Sequence, residues 1–367
     1  MDILKTKINN VRNVSRYTIG EGSLADLPNH LMTKRKKTKK QAIFFIDQYF
    51  KNSSIILKFL KIENCDKVIF VPTENEPTTN YIDDQVMLLK KQGFNKPCAI
   101  IGIGGGITMD VAKAVSNLLT NEGKAEDYQG WDLLKNPGIF KIAVPTISGT
   151  GAEATRTCVM TNKDTGLKLG MNSDFTVFDQ IIMDPKLSST VPKNQYFYTG
   201  MDAYIHCIES KNGNYRNAVG DAFSSQTIHL CREIFSSKNM MSDTNRSKLM
   251  VASYLGGCAI ATSYVGLVHP FSAGLSVVLG LNHCIANCIT MRAMSEFYPY
   301  EYDEFWTMAD KQNVEIPKSI CDNLNEEEFD KLYKATIIHE KPLTNALGDD
   351  FRNVLTKKKV IEIFRRM

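Results

Sequence analysis

The side chains most suited to chemistry begin in Thr199-Gly-Met-Asp-Ala-Tyr-Ile-His-Cys-Ile-Glu209, where Asp202 and His206 stand four residues apart in a run that reads as helix. Four residues is just over one turn, so carboxylate and imidazole leave the same face. Two more histidines, His269 and His283, lie in GLVHPFSAGLSVVLGLNHCIANCI, a stretch of apolar and small residues without a charge. A single histidine in such a stretch is ordinarily a hydrogen-bonded core residue. The chain has only six histidines, at 30, 206, 229, 269, 283 and 339, and three of them join this pattern. One carboxylate and three imidazoles suit Fe2+ or Zn2+, and one negative charge against two positive ones leaves room for a substrate oxygen. The set predicts a catalytic metal centre rather than a structural one.

A second chemistry is signalled by CAIIGIGGGITMDVAKAVS: a strand, a turn at Gly104, Gly105 and Gly106, and a helix opening near Thr108. Glycines let the backbone approach a pyrophosphate, and a helix N-terminus offers it unpaired N–H groups and partial positive charge. The order is neither that of the usual dinucleotide fingerprint nor that of the P-loop. The acid that holds an adenosine ribose ordinarily follows the glycines, whereas the candidate here, Asp47, ends an earlier strand, so a variant nucleotide fold is expected. An acid there favours NAD over NADP; the alternative is that Asp47 caps the next helix. VPTISGTGAEATRT (144–157) forms a second turn able to present Thr146, Ser148 and Thr150 to phosphate or ribose. Arg156, Lys168 and Asn172 follow it, and Tyr204 sits between the two ligands on the metal helix. These four are the candidate substrate contacts. Arg156 comes first, because a planar guanidinium is the best partner for a carboxylate, and the alternative for it is a structural salt bridge.

The elements that must carry these groups change character along the chain. QAIFFID (41–47), KVIFV (67–71) and CAIIGIGGG (98–106) are too apolar to have a wet face and read as buried strands, with further strands at 140–145 and within 176–185. Helical stretches at 78–93 and 108–120 alternate with them, which predicts a parallel sheet covered on both faces. After Pro185 the strand-like runs stop, and helices are expected at about 193–211, 217–236, 246–265 and 284–297. The expectation is an α/β Rossmann-like nucleotide-binding domain over 1–184 and an all-α metal-binding domain over 185–367, with a ligand in the cleft between them.

Composition agrees with two globular domains: 367 residues, 43% apolar and 23% charged. A net charge of +4 is too mild to argue for nucleic acid, and the basic run KRKKTKK (34–40) reads as a solvated loop. No stretch approaches the roughly 18 to 20 apolar residues that cross a bilayer, and the N-terminal residues lack the apolar segment of a signal peptide, so a cytoplasmic protein without a membrane span is expected. Nine cysteines without C-x2-C spacing suggest buried, reduced thiols.

Taken together, the motifs resemble the iron-containing (group III) alcohol dehydrogenase family, relatives of dehydroquinate synthase and glycerol dehydrogenase. GIGGGITMDVAK is similar to its GGGSxxDxAK loop, PTISGTGAEA to its PTTxGTGSE loop, and GMDAYIHCIE with His269 and His283 to its metal region. The resemblance implies Asp202, His206, His269 and His283 as ligands of Fe2+, Zn2+ or Co2+. It implies Gly104, Gly105, Gly106, Asp110, Lys113, Thr146 and Thr150 on the side of an NAD cofactor. Ile107 stands where the family usually has Ser and removes one hydroxyl from the pyrophosphate site. YQGWDLLKNP, GMNSDFTVFDQIIMD and FYTGMDAYIHCIES further resemble the 3-deoxy-D-manno-octulosonate (Kdo) 8-oxidase branch. That likeness implies oxidation of a sugar acid's terminal CH2OH to an aldehyde, with electrons passing to NAD or dioxygen, an aminotransferase partner acting on the product, and a homodimer. The rivals are another small-alcohol or polyol dehydrogenase, a dehydroquinate-synthase-like cyclase, whose Glu/His/His set differs from this one, and a metal-binding protein without turnover.

Overall fold

The computed structural model describes residues 3–4, 11–38, 41–53 and 58–367. The chain divides into two compact units, 12–147 with 152–189, and 190–367 with 148–151 and the described part of 1–11.

The α/β unit contains β1 (Arg16–Ile19), α1 (Leu27–Thr38), β2 (Ala42–Asp47), β3 (Lys67–Val71), α2 (Thr79–Lys91), β4 (Ala99–Gly104), α3 (Gly106–Leu118), β5 (Gly130–Trp131), β6 (Lys141–Pro145), β7 (Thr157–Asn162), β8 (Leu167–Asn172) and β9 (Gln180–Met183). Among the described residues six strands form one parallel sheet in the order β1-β9-β6-β4-β2-β3. Every residue of β2, β4 and β6 is buried, as expected of strands covered on both faces. Helix α2 starts where the Thr78 hydroxyl accepts from the Tyr81 N–H, buries Ile82, Val86 and Leu89 on one stripe, and ends with Lys90 and Lys91 at its carbonyl end.

Three features depart from the sequence reading. The basic run is helical through Thr38: Leu27 and Leu31 bury one side of α1, and Arg35 forms ion pairs with Asp66 at 2.6 Å and Glu63 at 2.9 Å. Its last residues, 39–40, lie outside the described residues. Strand β1 and the antiparallel pair β7–β8 were not foreseen, because β7 is buried on alternate residues only and so lacks a continuous apolar run.

The helical unit is built on α4 (Lys193–Asn212), α5 (Ala218–Phe235), α6 (Asp243–Ser263), α7 (Val268–Leu279) and α8 (His283–Thr290), with further helices continuing to Phe364. Every residue from Tyr196 to Ser210 is buried, which makes α4 the central helix rather than an amphipathic surface one. The expected helix over 284–297 ends earlier, at Thr290, and a 3-10 turn follows over Met291–Ala293. Segment 148–151 packs directly on α4 and α6. A Cβ on Gly149 (φ +146) would lie 1.6 Å from the Thr199 carbonyl oxygen, and one on Gly151 (φ +61) would lie 2.6 Å from the Gly257 Cα. Side chains are therefore excluded at both positions. Among the described residues no single helix is long and apolar enough to cross a membrane; only the pair α6 and α7, bent by 106°, passes that test jointly, and both helices contribute to the core.

Candidate metal centre

Three helices aim side chains at one point. Helix α4 projects Asp202 and His206 from one face. Helix α7 begins at Val268, tolerates Pro270 in its first turn, and so places His269 at its N-terminus. It closes at Gly280 in the left-handed conformation (φ 68), which lets α8 start afresh with His283. The resulting distances are 3.5 Å from Asp202 Oδ1 to His206 Nε2, 3.4 Å from Oδ1 to His269 Nε2, and 3.7 Å from Oδ2 to His283 Nε2. One ligand atom from each residue lies within 4.8 Å of all the others. A tetrahedral site with bonds of about 2.1 Å has ligand-to-ligand edges of about 3.4 Å, so the spacing fits a cation at the centre.

The electrostatics fit as well. Burial opposes the charge on Asp202, but His206, His283 and His269 outweigh it and hold the carboxyl well below its usual range. Burial pushes His206 down to about 4, leaving the neutral imidazole that ligation requires. His269 goes the other way: burial works against its charge, yet Glu209 and Asp202 raise it to about 9. A proton on His269 between two buried carboxylates holds the place that a divalent cation would take, and ligation would release it.

The sequence reading did not assign Glu209. Fully buried, it accepts the Val268 N–H at 2.5 Å and meets His269 Nδ1 at 2.5 Å. It thus caps α7 and turns the imidazole so that Nε2 faces Asp202. Asn287 and Cys284 were missed too: the Asn287 amide nitrogen is 2.7 Å from Asp202 Oδ1, and the Cys284 thiol is 3.6 Å from Oδ2. Helical spacing was the available signal, since Glu209 follows His206 by three residues and Asn287 follows His283 by four.

The glycine turn occupies the carboxyl ends of the α/β sheet. β2 lies between β3 and β4, and the chain order reverses at that point, so Asp47 and Gly104 end adjacent parallel strands. A Cβ on Gly104 would come within 3.0 Å of the Asp47 Cβ and 2.5 Å of Thr108 Oγ1. The Thr146 N–H joins the same corner by donating to the Gly104 carbonyl at 3.0 Å. Such a switch point is where open α/β sheets bind ligands. Asp47 also caps the next 3-10 turn, accepting from the Tyr49 N–H at 3.0 Å and the Thr73 hydroxyl at 3.1 Å. Ser148 and Thr150 group with the helical unit instead.

Asp110 and Lys113, on the helix that follows the turn, make bonds inside the fold. Asp110 accepts the Val159 N–H at 3.1 Å, while Lys113, fully buried, donates to the Thr155 and Thr157 carbonyls at 2.8 Å each. Both fasten the start of β7 to α3.

Comparison with known proteins decides the family. Residues 14–185 match the iron-containing alcohol dehydrogenase family, and residues 196–364 match the C-terminal region of the Fe-containing alcohol dehydrogenase family. The chain belongs to the iron-containing alcohol dehydrogenase family. It is 28% identical over 284 residues to the NAD-dependent methanol dehydrogenase of Bacillus methanolicus, covering 76% of this chain and 73% of that one. Identity to the 1,3-propanediol dehydrogenase of Citrobacter freundii is 30% over 243 residues, 66% of this chain and 62% of that one. To the sulfoacetaldehyde reductase of Bilophila wadsworthia (strain 3_1_6) it is 34% over 191 residues, 51% of this chain and 49% of that one. The crystal structure of a 1,3-propanediol oxidoreductase shares the fold with a TM-score of 0.83 at 20% identity, over 98% of this chain and all of that one. As an iron-containing alcohol dehydrogenase the chain is a metal-dependent alcohol oxidoreductase, and its divalent metal and NAD cofactors have candidate groups in the Asp–His cluster and the glycine turn.

The four candidate substrate contacts of this dehydrogenase already have partners inside the chain. Arg156 pairs with Asp132 and with Asp174 at 3.2 Å, and Lys168 pairs with Glu76 at 3.0 Å. Asn172 accepts from Thr157 and donates to the Gly130 and Gly170 carbonyls. The fully buried Tyr204 donates its hydroxyl to Glu304, which Arg232 also holds. These partners lie beside β5 and β8, in the segment before α2, and on the helix Pro299–Gln312.

Proposed function

We propose that the protein interconverts a primary alcohol and its aldehyde with NAD, using a divalent cation held by Asp202, His206, His269 and His283, and that its substrate is a small alcohol or polyol. The observation carrying this reading is the convergence of those four groups, with ligand atoms within 4.8 Å of one another, on buried helices. A cation there would supply Lewis acidity that lowers the pKa of an alcohol oxygen, and NAD would accept the hydride. The chain's own part is orientation. Glu209 fixes the His269 ring, burial keeps His206 neutral, and the backbone N–H groups after Gly105 offer the pyrophosphate a helix N-terminus. Asp47, at the neighbouring strand end, is the proposed ribose partner.

A second substrate reading, C8 of Kdo with an aminotransferase taking the product, is supported by the phrases shared with that branch. The internal pairing of Arg156 and Lys168 weighs toward the small alcohol, since both cations already have acid partners within the chain. A homodimer in the cytoplasm is part of the proposal, and light scattering tests the dimer.

The deciding experiment strips the purified protein and reloads it with Fe2+, Zn2+ or Co2+. Aldehyde and NADH are then followed separately on 1,3-propanediol, other short alcohols and Kdo. NADH formed in step with aldehyde on a short alcohol or diol is expected. A higher kcat/KM on Kdo than on every uncharged alcohol establishes the second reading instead, and aldehyde without NADH overturns the cofactor assignment.

A further inference from the structure

Helix α8 brings more than His283 to the metal centre. Asn287, one turn further on and fully buried, sets its amide nitrogen 2.7 Å from Asp202 Oδ1 and 3.3 Å from both His269 Nε2 and His283 Nε2. An amide has two hydrogens, so it can satisfy at most two of these three neighbours, and the shortest distance assigns one to Asp202. On the other carboxylate oxygen the Cys284 thiol stands at 3.6 Å. Asp202 belongs to α4, yet both of its oxygens are braced from α8. The Asn287 carbonyl oxygen, meanwhile, is buried without a hydrogen-bond partner, an uncommon cost for a residue serving only to fill space.

We infer that Asn287 is a positioning residue of the metal centre: its amide N–H holds Asp202 Oδ1 so that the carboxylate meets the cation already oriented. The inference rests on the proposed metal site and deepens it. A carboxylate on a central helix has two rotatable bonds, and without a donor on Oδ1 it would turn toward whichever imidazole carries a proton. With Asn287 in place the four ligand atoms converge before the cation arrives, which limits reorganisation on binding. The donor must be uncharged and hydrogen-bearing. A carboxylate at 287 would set two like charges 2.7 Å apart, which a proton shared between them or a bound cation must relieve.

The test compares wild type, Asn287→Ala and Asn287→Asp as full-length protein. Co2+ affinity is measured by chelator competition, and Tm is measured with and without Co2+. Asn287→Ala should bind Co2+ about 10- to 100-fold more weakly, as losses of outer-sphere partners do. Asn287→Asp should have a lower Tm than wild type when stripped and a larger Tm rise on adding Co2+. A packing role alone predicts equal Tm losses with and without the ion and unchanged Co2+ affinity, and that result overturns the inference. If Asn287→Ala does not fold, Asn287→Asp still decides, because failure of Co2+ to rescue it overturns the inference too. Wild-type protein that binds no Co2+ would instead sink the metal-site reading on which the inference stands.

Discussion

Asp202 and Asp110 are interior carboxylates on helices of the two units, and their surroundings treat them in opposite ways. Around Asp202 three imidazoles converge and hold the carboxyl below its usual range. Around Asp110 burial dominates and pushes the carboxyl up to about 7, and its bonding closes within the chain, on the Val159 N–H. The helical unit keeps its reactive groups in side chains, whereas at the sheet end what can meet a phosphate is mainly backbone N–H. The same residue type is held by side chains that converge on it in one unit and by a backbone N–H in the other.

The largest effect that would break this contrast is expected at His206. His206→Ala should leave the purified protein without its metal ion and lower kcat/KM by about 10³-fold or more, since a Lewis acid supplies several kcal/mol at about 1.4 kcal/mol per decade. NAD binding should persist. Metal analysis and ligand titration of one sample check both, and full metal content would remove the helical unit's claim to the chemistry.

A smaller effect sharpens it. Glu209→Gln keeps an acceptor for the Val268 N–H but loses the charge facing His269, so metal affinity should fall about 10- to 100-fold while the helices stay folded. Unchanged affinity would reduce Glu209 to a cap on α7.

The smallest effect belongs to the backbone side. Gly105 has φ −87, and a Cβ there would meet nothing closer than the Ile147 Cδ1 at 3.5 Å, so Gly105→Ala should fold with stability within about 0.5 kcal/mol of wild type. If the turn receives the pyrophosphate, the added methyl would hold it off a backbone N–H and KM for NAD should nonetheless rise about tenfold, the worth of one charge-assisted hydrogen bond, with metal content unchanged. A normal KM would mean that the phosphate lies elsewhere.

Local pattern carried much of this protein. Runs such as AIFFID and AIIGIG read as buried strands alternating with helices, so the parallel sheet was legible, and the single helical turn from Asp202 to His206 put two ligand candidates on one face. The alternating burial of β7 and the helical turns around Lys34 and Arg35 were not legible, because half-buried faces and ion-paired cations look like loop in composition.

What the sequence by itself determined is therefore the set of groups: one Asp, three His, a glycine turn, and the elements that bear them. Tertiary structure decided which groups meet. Asp47 precedes the glycines by more than fifty residues, and only the reversal of strand order at β2 and β4 makes them neighbours. Arg156 and Lys168 stand in one stretch of sequence, but the acids that pair with them, Asp132, Asp174 and Glu76, come from three other segments. Glu209 and Asn287 became site residues only when α7 and α8 packed against α4. The physical reason is the same each time: a side chain's type and local spacing are written along the chain, but the partner that completes its hydrogen bonds or charge comes from a remote segment, and that partner determines what the group can do.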